Sequence, residues 1–401
     1  MKNLLSFAII VISFSACSRL PTSNESKISL AGEWRFRIDT ADVGIKQQWF
    51  KQKFTEKVNL PGLINTNKWN CAWYQKEITI PRGWEDKQII LTLERCHWET
   101  ILWANGEAFW RENSPATPHR YYLNDLKPGK LLLSIRIDSK SPVIPGLEAY
   151  NISGNTQSNL NGIEGAITLE ERPLAFISSV KITPDINQKL ITVDVRIQSQ
   201  IEQKHATLYL QAFNQTDSLE KKKFDINIFA CENQLIYTYP MGDNPLLWDE
   251  FHPNLHALHV ELQTQSGNDQ TEATFGMKEW STIGTQITLN GNPAAIRDTL
   301  ESCIFPETES LPATVADWMQ KIKIYKSYGL NSLRFCLWCP PEAAFVAADS
   351  LGFYFQVECD TWTHRIENGD SAGQFVMDES ERIVKEYGNH PSFCRLPYKG
   401  E

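Results

Sequence analysis

The chain has 401 residues, with 39 Lys or Arg against 48 Asp or Glu and a formal net charge of −9. This length predicts two or three domains with sizeable cores. The charge is spread along the chain without a long basic run, which argues against nucleic acid as a partner. Most of the 13 Trp and 12 Tyr residues are expected to pack in cores and domain interfaces.

The first 17 residues have the pattern of an export signal. Lys2 supplies the positive start, Leu4 to Ile12 form an apolar stretch, and Phe14-Ser-Ala-Cys17 ends in small residues and a cysteine. This pattern resembles a bacterial lipoprotein signal and predicts a lipidated Cys17; a plain secretory signal with an incidental cysteine is the alternative. Residues 18–28 would be a flexible linker. We therefore expect an exported protein of the periplasm or outer membrane, held at the membrane through Cys17.

Eight further cysteines do not have the spacing of a small disulfide scaffold. Cys336-Leu-Trp-Cys339 has the C-x-x-C spacing, but no second pair follows at the distance typical of a zinc site. His364 and His390 could complete such a site, which is the less favoured interpretation. The preferred one is that the cysteines are small buried apolar residues, with no metal and no cofactor.

Residues 29–172 alternate short strands with turn signals. Gly32 to Ile38 and Leu132 to Ile137 have the period of two that half-buried strands show. Asn105-Gly106 lies between two apolar runs and predicts a tight hairpin, and Asp125 to Gly129 predicts another turn. So many strands in about 140 residues favour a β-sandwich of the jelly-roll type.

Residues 173–276 form a second all-β block. Clear half-buried strands are predicted at Leu190–Ile197, Thr207–Gln211 and Leu255–Leu262. This strand density over roughly 100 residues fits an immunoglobulin-like β-sandwich.

After Met277 the pattern changes to alternating helices and strands. One more hairpin is predicted around Asn290-Gly291. Beyond it, helices are predicted at 314–328, 342–350 and 378–387, and strands at 332–335, 353–357 and 393–398. This βα alternation implies a parallel sheet. Because a complete barrel needs eight strands, we interpret residues 277–401 as the first half of an α/β TIM barrel with an uncovered apolar interior.

Several motifs occur in an order that resembles glycoside hydrolase family 2, over about residues 29–401. The more specific ones are Gly329-Leu-Asn-Ser-Leu-Arg334, Pro340-Pro-Glu-Ala-Ala-Phe345, Ala348-Asp-Ser-Leu-Gly352 and Asn389-His-Pro-Ser392. The resemblance implies an exo-acting enzyme that cleaves terminal β-glycosidic bonds of an oligosaccharide or polysaccharide, with β-galactosidase as the default. It also implies that the jelly roll is the sugar-binding domain of such an enzyme.

The resemblance also implies site residues. Family members use two carboxylates, and Glu401 falls at the position of the acid/base; no residue of this chain falls at the position of the nucleophile. Arg334 and Glu358 end strands of the predicted barrel, where sugar hydroxyls would be bound, although a structural ion pair is the alternative for each. The other substrate-binding candidates are Trp362, Asn159 and Asn161, while His390 is interpreted as structural.

Two departures from the family pattern concern this site. Cys336 stands where a histidine near the sugar is expected, and Gly400 stands where an asparagine usually precedes the acid/base. Neither can replace the side chain it lacks as a hydrogen-bonding group. We therefore expect little or no turnover from the 401 residues alone. The alternatives are a non-catalytic glycan-binding lipoprotein that uses the two β-sandwiches, or the product of an interrupted gene.

Overall fold

The structure is a computed structural model that describes residues 26–65, 71–124, 126–139, 160–214, 217–303, 311–312, 314–359 and 371–395. Within these ranges the chain forms two β-sandwiches followed by a small hairpin sheet and a parallel βα unit. The predicted signal at residues 1–17, Asp125 and most of the predicted linker lie outside the described residues. No helix in the described ranges is long and apolar enough to cross a membrane.

The described part of the first sandwich contains thirteen strands. They are β1 (Lys27–Ser29), β2 (Gly32–Asp39), β3 (Glu56–Leu60), β4 (Gly62–Asn65), β5 (Cys71–Ile80), β6 (Gln88–Leu93), β7 (Cys96–His97), β8 (Glu99–Ala104), β9 (Glu107–Glu112), β10 (His119–Leu123), β11 (Gly129–Asp138), β12 (Leu160–Ile163) and β13 (Ile167–Arg172). Short 3₁₀ turns occur at Trp49–Lys51 and Arg82–Trp84.

These strands make a four-stranded sheet in the order β1-β13-β6-β10, a six-stranded sheet β3-β2-β5-β11-β8-β9, and a small third sheet β4-β12-β7. The core lies between the sheets, where Leu91, Leu133 and Ile135 are fully buried. The predicted hairpin is confirmed, since Asn105 and Gly106 have φ of 49° and 88° between β8 and β9. Two residues with positive φ give the turn a twist that matches paired strands.

In the second sandwich, eight strands occur among the residues that the structure describes. They are β14 (Ala175–Asp185), β15 (Leu190–Ser199), β16 (Gln203–Asn214), β17 (Asp217–Ser218), β18 (Lys222–Ile228), β19 (Glu232–Pro240), β20 (His256–Thr264) and β21 (Gly267–Phe275). One sheet has the order β14-β15-β19, and the other has β17-β16-β20-β21 with β18 also paired to β16. The alternating residues Ile191, Val193, Val195 and Ile197 of β15 all point into a separate core.

The remaining strands and helices are β22 (Trp280–Ile283), β23 (Gln286–Leu289), β24 (Asn292–Pro293), β25 (Asp298–Glu301), α1 (Val315–Ser327), β26 (Ser332–Phe335), α2 (Glu342–Leu351), β27 (Tyr354–Val357), α3 (Ser371–Tyr387) and β28 (Phe393–Arg395). Strands β25 to β28 are parallel neighbours in chain order. Thr314 begins α1 with a capping box, because its side chain accepts from the Asp317 N–H while Asp317 accepts in return.

The two faces of this parallel sheet differ in chemistry. Leu333, Phe335 and Phe355 lie beneath the helices and are fully buried with Phe345 of α2. The opposite face is mainly polar, as Gln356 donates to Asp298 at 3.0 Å and to Ser332 at 3.3 Å. The expectation of an uncovered apolar interior is therefore wrong for the described strands, although Leu300 is 58% exposed on this face.

Two elements of this unit differ from the sequence prediction. Helix α3 starts at Ser371 and not at 378, in a segment where glycine and serine lower helix propensity. Strand β25 was not predicted, because its single apolar residue at 300 gives no strand pattern.

Candidate functional site

Arg334 and Glu358 meet at the carboxyl ends of two neighbouring strands. Parallel pairing places Arg334 of β26 beside Gln356 of β27, and Glu358 follows β27 directly. The Arg334 Nε donates to Glu358 Oε1 at 2.6 Å. This hydrogen bond to the carboxylate raises the pKa of the guanidinium further above its ordinary range.

Glu358 is fixed by a second contact. Its Oε2 accepts from the backbone N–H of Leu337 at 2.9 Å, and only 4% of the residue is exposed. Leu337 has φ of 58°, so the carboxylate stabilises a tight turn after β26. The Arg334 side chain keeps 27% of its surface exposed. Glu358 is thus a positioning carboxylate, and Arg334 is the group that a ligand at this edge could contact.

Cys336 lies next to this ion pair. Burial raises the pKa of its thiol, and the negative charge of Glu358 raises it further. The thiol is therefore protonated at neutral pH, and it offers only a weak hydrogen bond where imidazole was expected. The described part of this edge can hold a hydroxylated ligand through Arg334, but it does not by itself supply two carboxylates for acid/base chemistry.

Asn161 does not contact this edge in the described structure. It is fully buried in the first sandwich, where its Oδ1 accepts from Tyr74 Oη at 2.8 Å. Its Nδ2 donates to Ser139 Oγ at 2.7 Å and to the Ile137 carbonyl at 3.3 Å. The predicted contact with substrate is corrected: these bonds join β5, β11 and β12, so the side chain holds the sandwich together.

Asn159, Trp362, Glu401 and Cys17 lie outside the described residues. The structure therefore brings together Arg334 and Glu358 from the predicted set and leaves the proposed acid/base without a described position.

His390 links the segment before β28 to helix α2. Its Nδ1 lies 2.6 Å from Asp349 Oδ2, and its Nε2 lies 3.1 Å from Glu342 Oε1. Burial would lower the pKa of the imidazole, but the two carboxylates outweigh burial and raise it to about 10. Asp349 was missed as a functional residue, although it lies inside the motif Ala348 to Gly352.

The segment 389–393 also contacts the second sandwich. Asn389 Oδ1 accepts from the Ile182 N–H at 2.8 Å, and its Nδ2 donates to the Val180 carbonyl at 2.7 Å. Lys278 Nζ donates to the carbonyls of Pro391 and Phe393. Burial lowers the pKa of this lysine to about 8. The chain that leads into β28 is therefore held by the sandwich on one side and by α2 on the other.

Helix α3 is held against the first sandwich by a buried carboxylate. Glu379 is fully buried, and its Oε1 accepts from Ser114 Oγ at 2.7 Å while its Oε2 accepts from Arg382 Nε at 2.7 Å. Burial raises the pKa of Glu379, and Arg382 opposes that shift. Nearby, Arg120 makes a bidentate pair with Glu386 at 2.8 and 2.6 Å.

One group of potential metal ligands is already occupied by a guanidinium. Asp42, Cys71 and Asp138 lie close enough to share an ion. However, Arg136 Nη2 donates to each of them at 2.7 Å. The positive charge that such a cluster would need is thus supplied by the protein.

Comparison with known proteins agrees with this architecture. Residues 175–278 match the family model described as glycosyl hydrolases family 2. A β-galactosidase of Photobacterium profundum is 22% identical over 91% of this chain, and a β-glucuronidase of Sus scrofa is 23% identical over 68% of it. The chain is similar to members of glycoside hydrolase family 2.

The fold of known family structures extends over nearly all of the chain. The crystal structure of a Bacteroides uniformis β-glucuronidase covers 92% of it with a TM-score of 0.78 at 18% identity. A β-glucuronidase from Ruminococcus gnavus covers 95% of it with a TM-score of 0.76 at 16% identity. The chain in turn spans 39% of the Photobacterium relative, 47% of the Sus scrofa relative and 46% of the Bacteroides structure.

Proposed function

We propose that the protein descends from an exo-acting, retaining β-glycosidase and serves in carbohydrate breakdown, with a terminal β-galactoside as the default substrate. The observation that carries this proposal is the Arg334–Glu358 pair at the carboxyl ends of β26 and β27. Ligands of parallel βα folds bind at that edge. The names of the relatives support a glycosidase that hydrolyses O-glycosyl bonds.

In such an enzyme two carboxyl groups roughly 5 Å apart flank the scissile bond. One protonates the leaving oxygen and the other attacks the anomeric carbon. We assign the first role to Glu401, which follows β28 in the chain. Arg334 would donate to a sugar hydroxyl, and Glu358 would orient its guanidinium. We also propose a half TIM barrel for residues 277–401 and the first sandwich as the sugar-binding domain.

The test uses 4-nitrophenyl β-D-galactoside and 4-nitrophenyl β-D-glucuronide with the purified 401-residue chain. Because only one of the two carboxylates is assigned within it, we expect little or no release of nitrophenol. Hydrolysis of the galactoside that is lost in Glu401→Gln would support the glycosidase and contradict the expected inactivity. Hydrolysis that Glu401→Gln leaves unchanged would overturn the assignment of Glu401.

A second experiment addresses the gene. Sequencing past codon 401 distinguishes an open frame with further βα units and a late strand-end glutamate from an early stop. The first result would support a working glycosidase. The second would favour an interrupted gene.

A non-catalytic glycan-binding protein is the second candidate. It is favoured by the two β-sandwiches, each of which has its own buried core. We further propose that the protein is exported and anchored by a lipid on Cys17. Binding of a glycan by the purified chain, with no release of nitrophenol from either 4-nitrophenyl substrate, would favour this candidate.

A further inference from the structure

Trp110 is an exposed aromatic residue on the edge of the jelly roll that the proposed active site does not use. It lies on β9, the outermost strand of the six-stranded sheet, and 46% of it is exposed. Most tryptophans of the described chain are buried, with Trp34, Trp73, Trp98 and Trp248 at 2% exposure or less. Its indole therefore offers an aromatic surface on an edge strand that a ligand could cover.

The indole is held in one orientation. Its Nε1 donates to Glu112 Oε1 at 2.7 Å, two residues along the same strand. One side of the ring packs on tyrosines of β10, with ring centroids 6.0 Å from Tyr121 and 6.3 Å from Tyr122. The angles between the ring planes are 28° and 32°. A ring fixed in this way loses little conformational entropy when a ligand covers its free surface.

Polar groups with unused hydrogen-bonding capacity border the ring. Within the described residues, the hydroxyl of Tyr122 and the Oε2 of Glu112 have no hydrogen-bond partner. Tyr122 is half-buried, and burial raises the pKa of its phenol, which therefore stays protonated and can donate. A flat apolar ring bordered by one hydroxyl and one carboxylate oxygen matches the apolar face and equatorial hydroxyls of a pyranose.

The charges around the ring indicate the kind of sugar. Arg120 is neutralised by Glu386, and Glu232 of β19 is paired with Arg196 at 2.8 Å. Glu112 and Glu170 face the same tyrosine and add negative charge. An anionic sugar would meet this net negative charge and no unpaired cation among these groups.

We propose that Trp110, Tyr122 and Glu112 form a surface binding site for a neutral glycan. The indole stacks on the face of one sugar ring, while the tyrosine hydroxyl and the glutamate oxygen bind its hydroxyls. This site is separate from the strand-end residues and does not depend on the proposed hydrolytic activity. It would hold polysaccharide on the jelly roll whether or not the chain cleaves it.

The test is affinity gel electrophoresis of the full chain at pH 7 in gels that contain β-1,4-galactan, laminarin or polygalacturonate. We expect a neutral glycan to retard the wild type and polygalacturonate not to. Trp110→Ala should weaken binding about tenfold, the size of one aromatic contact. Tyr122→Phe removes only the hydroxyl and should give a smaller loss. Phe251→Ala, at a residue 76% exposed elsewhere, is the matched control and should behave as the wild type.

Three results would overturn the proposal. They are a wild type that neither neutral glycan retards, a wild type retarded only by polygalacturonate, and a Trp110→Ala variant retarded as strongly as the wild type. Sedimentation of each variant separates glycan binding from self-association. A change of oligomeric state in Trp110→Ala without any glycan effect would assign the ring to contact with a second copy. Thermal unfolding confirms that each variant is folded.

Discussion

Replacing His390 by glutamine separates the charge of the imidazolium from the shape of the side chain. In the folded protein Asp349 and Glu342 hold the charged form, with a pKa of about 10 against an ordinary value of 6.5. A difference of about 3.5 pH units, at about 1.36 kcal/mol per unit, sets an upper limit of about 5 kcal/mol on this contribution. Allowing for relaxation around the buried carboxylates, we expect His390→Gln to lower the free energy of unfolding by about 2–4 kcal/mol at pH 6.

The pH dependence of this loss has a definite sign. A group whose pKa is raised by folding stabilises fully below its unfolded value, and this contribution is lost as the pH rises through its folded value. The difference in free energy of unfolding between the wild type and His390→Gln should therefore be largest near pH 6 and decrease steadily toward pH 10. Lys278 also titrates in this window, but it is present in both proteins and to first order cancels in the difference.

The measurement is thermal or guanidinium unfolding of both proteins at pH 6, 7.5 and 9, followed by tryptophan fluorescence. At pH 6 the gap should be roughly 5–10 °C in Tm. His252→Gln is the control, because the side chain of His252 is 74% exposed. The Tm of this variant should differ little from that of the wild type at any pH. A gap for His390→Gln that stays constant or widens with pH would refute the reasoning.

Three further predictions concern Glu379, Lys278 and Cys17. Glu379→Gln should weaken the attachment of α3 to the first sandwich by about 1–3 kcal/mol, because the Arg382 guanidinium loses its buried carboxylate. Faster amide hydrogen exchange confined to α3 would show this loss. The folded protein holds Lys278 with a pKa of about 8, below the ordinary value of 10.5, so the charged lysine destabilises the fold at low pH. The free energy of unfolding of the wild type should therefore rise between pH 8 and 10.5, and Lys278→Met should remove this rise. A pH series of unfolding curves with the same rise in both proteins would contradict it. Cys17→Ser should move the protein from the detergent phase to the aqueous phase in Triton X-114 partitioning; equal partitioning of both proteins would rule out the lipid anchor.

Much of the fold could be predicted because its signals are local. The alternation of Ile191 to Ile197 and the Asn105-Gly106 turn each follow from neighbouring residues, and both occur as expected. The predicted helix at 314–328 differs from α1 by one residue at each end, and a capping box at Thr314 and Asp317 begins it. Strand β25 could not be predicted, since its position depends on pairing with β26 and not on its own composition.

The site was harder to predict because side-chain partners are distant in sequence. Their positions at strand ends indicated Arg334 and Glu358, but the ion pair between them spans 24 residues and depends on the register of β26 against β27. Asparagine is common in turns, and only the contact between β5 and β12 shows that Asn161 is buried. Asp349 lies in the alanine-rich helix α2, and its hydrogen bond to His390 spans 41 residues.

The side chain of Asn389 replaces a missing strand along the open edge of β14. It supplies one acceptor and one donor to the backbone of Ile182 and Val180, as a neighbouring strand would. The hydrogen bonding of the second sandwich is therefore not complete within its own residues. Asn389, more than 200 positions after Ile182, satisfies part of the open edge of β14. A fragment cut at residue 276 would expose this edge to other chains and invite aggregation. Glycan binding by the sandwiches is for that reason better measured on the whole chain, with single substitutions in place of deletions.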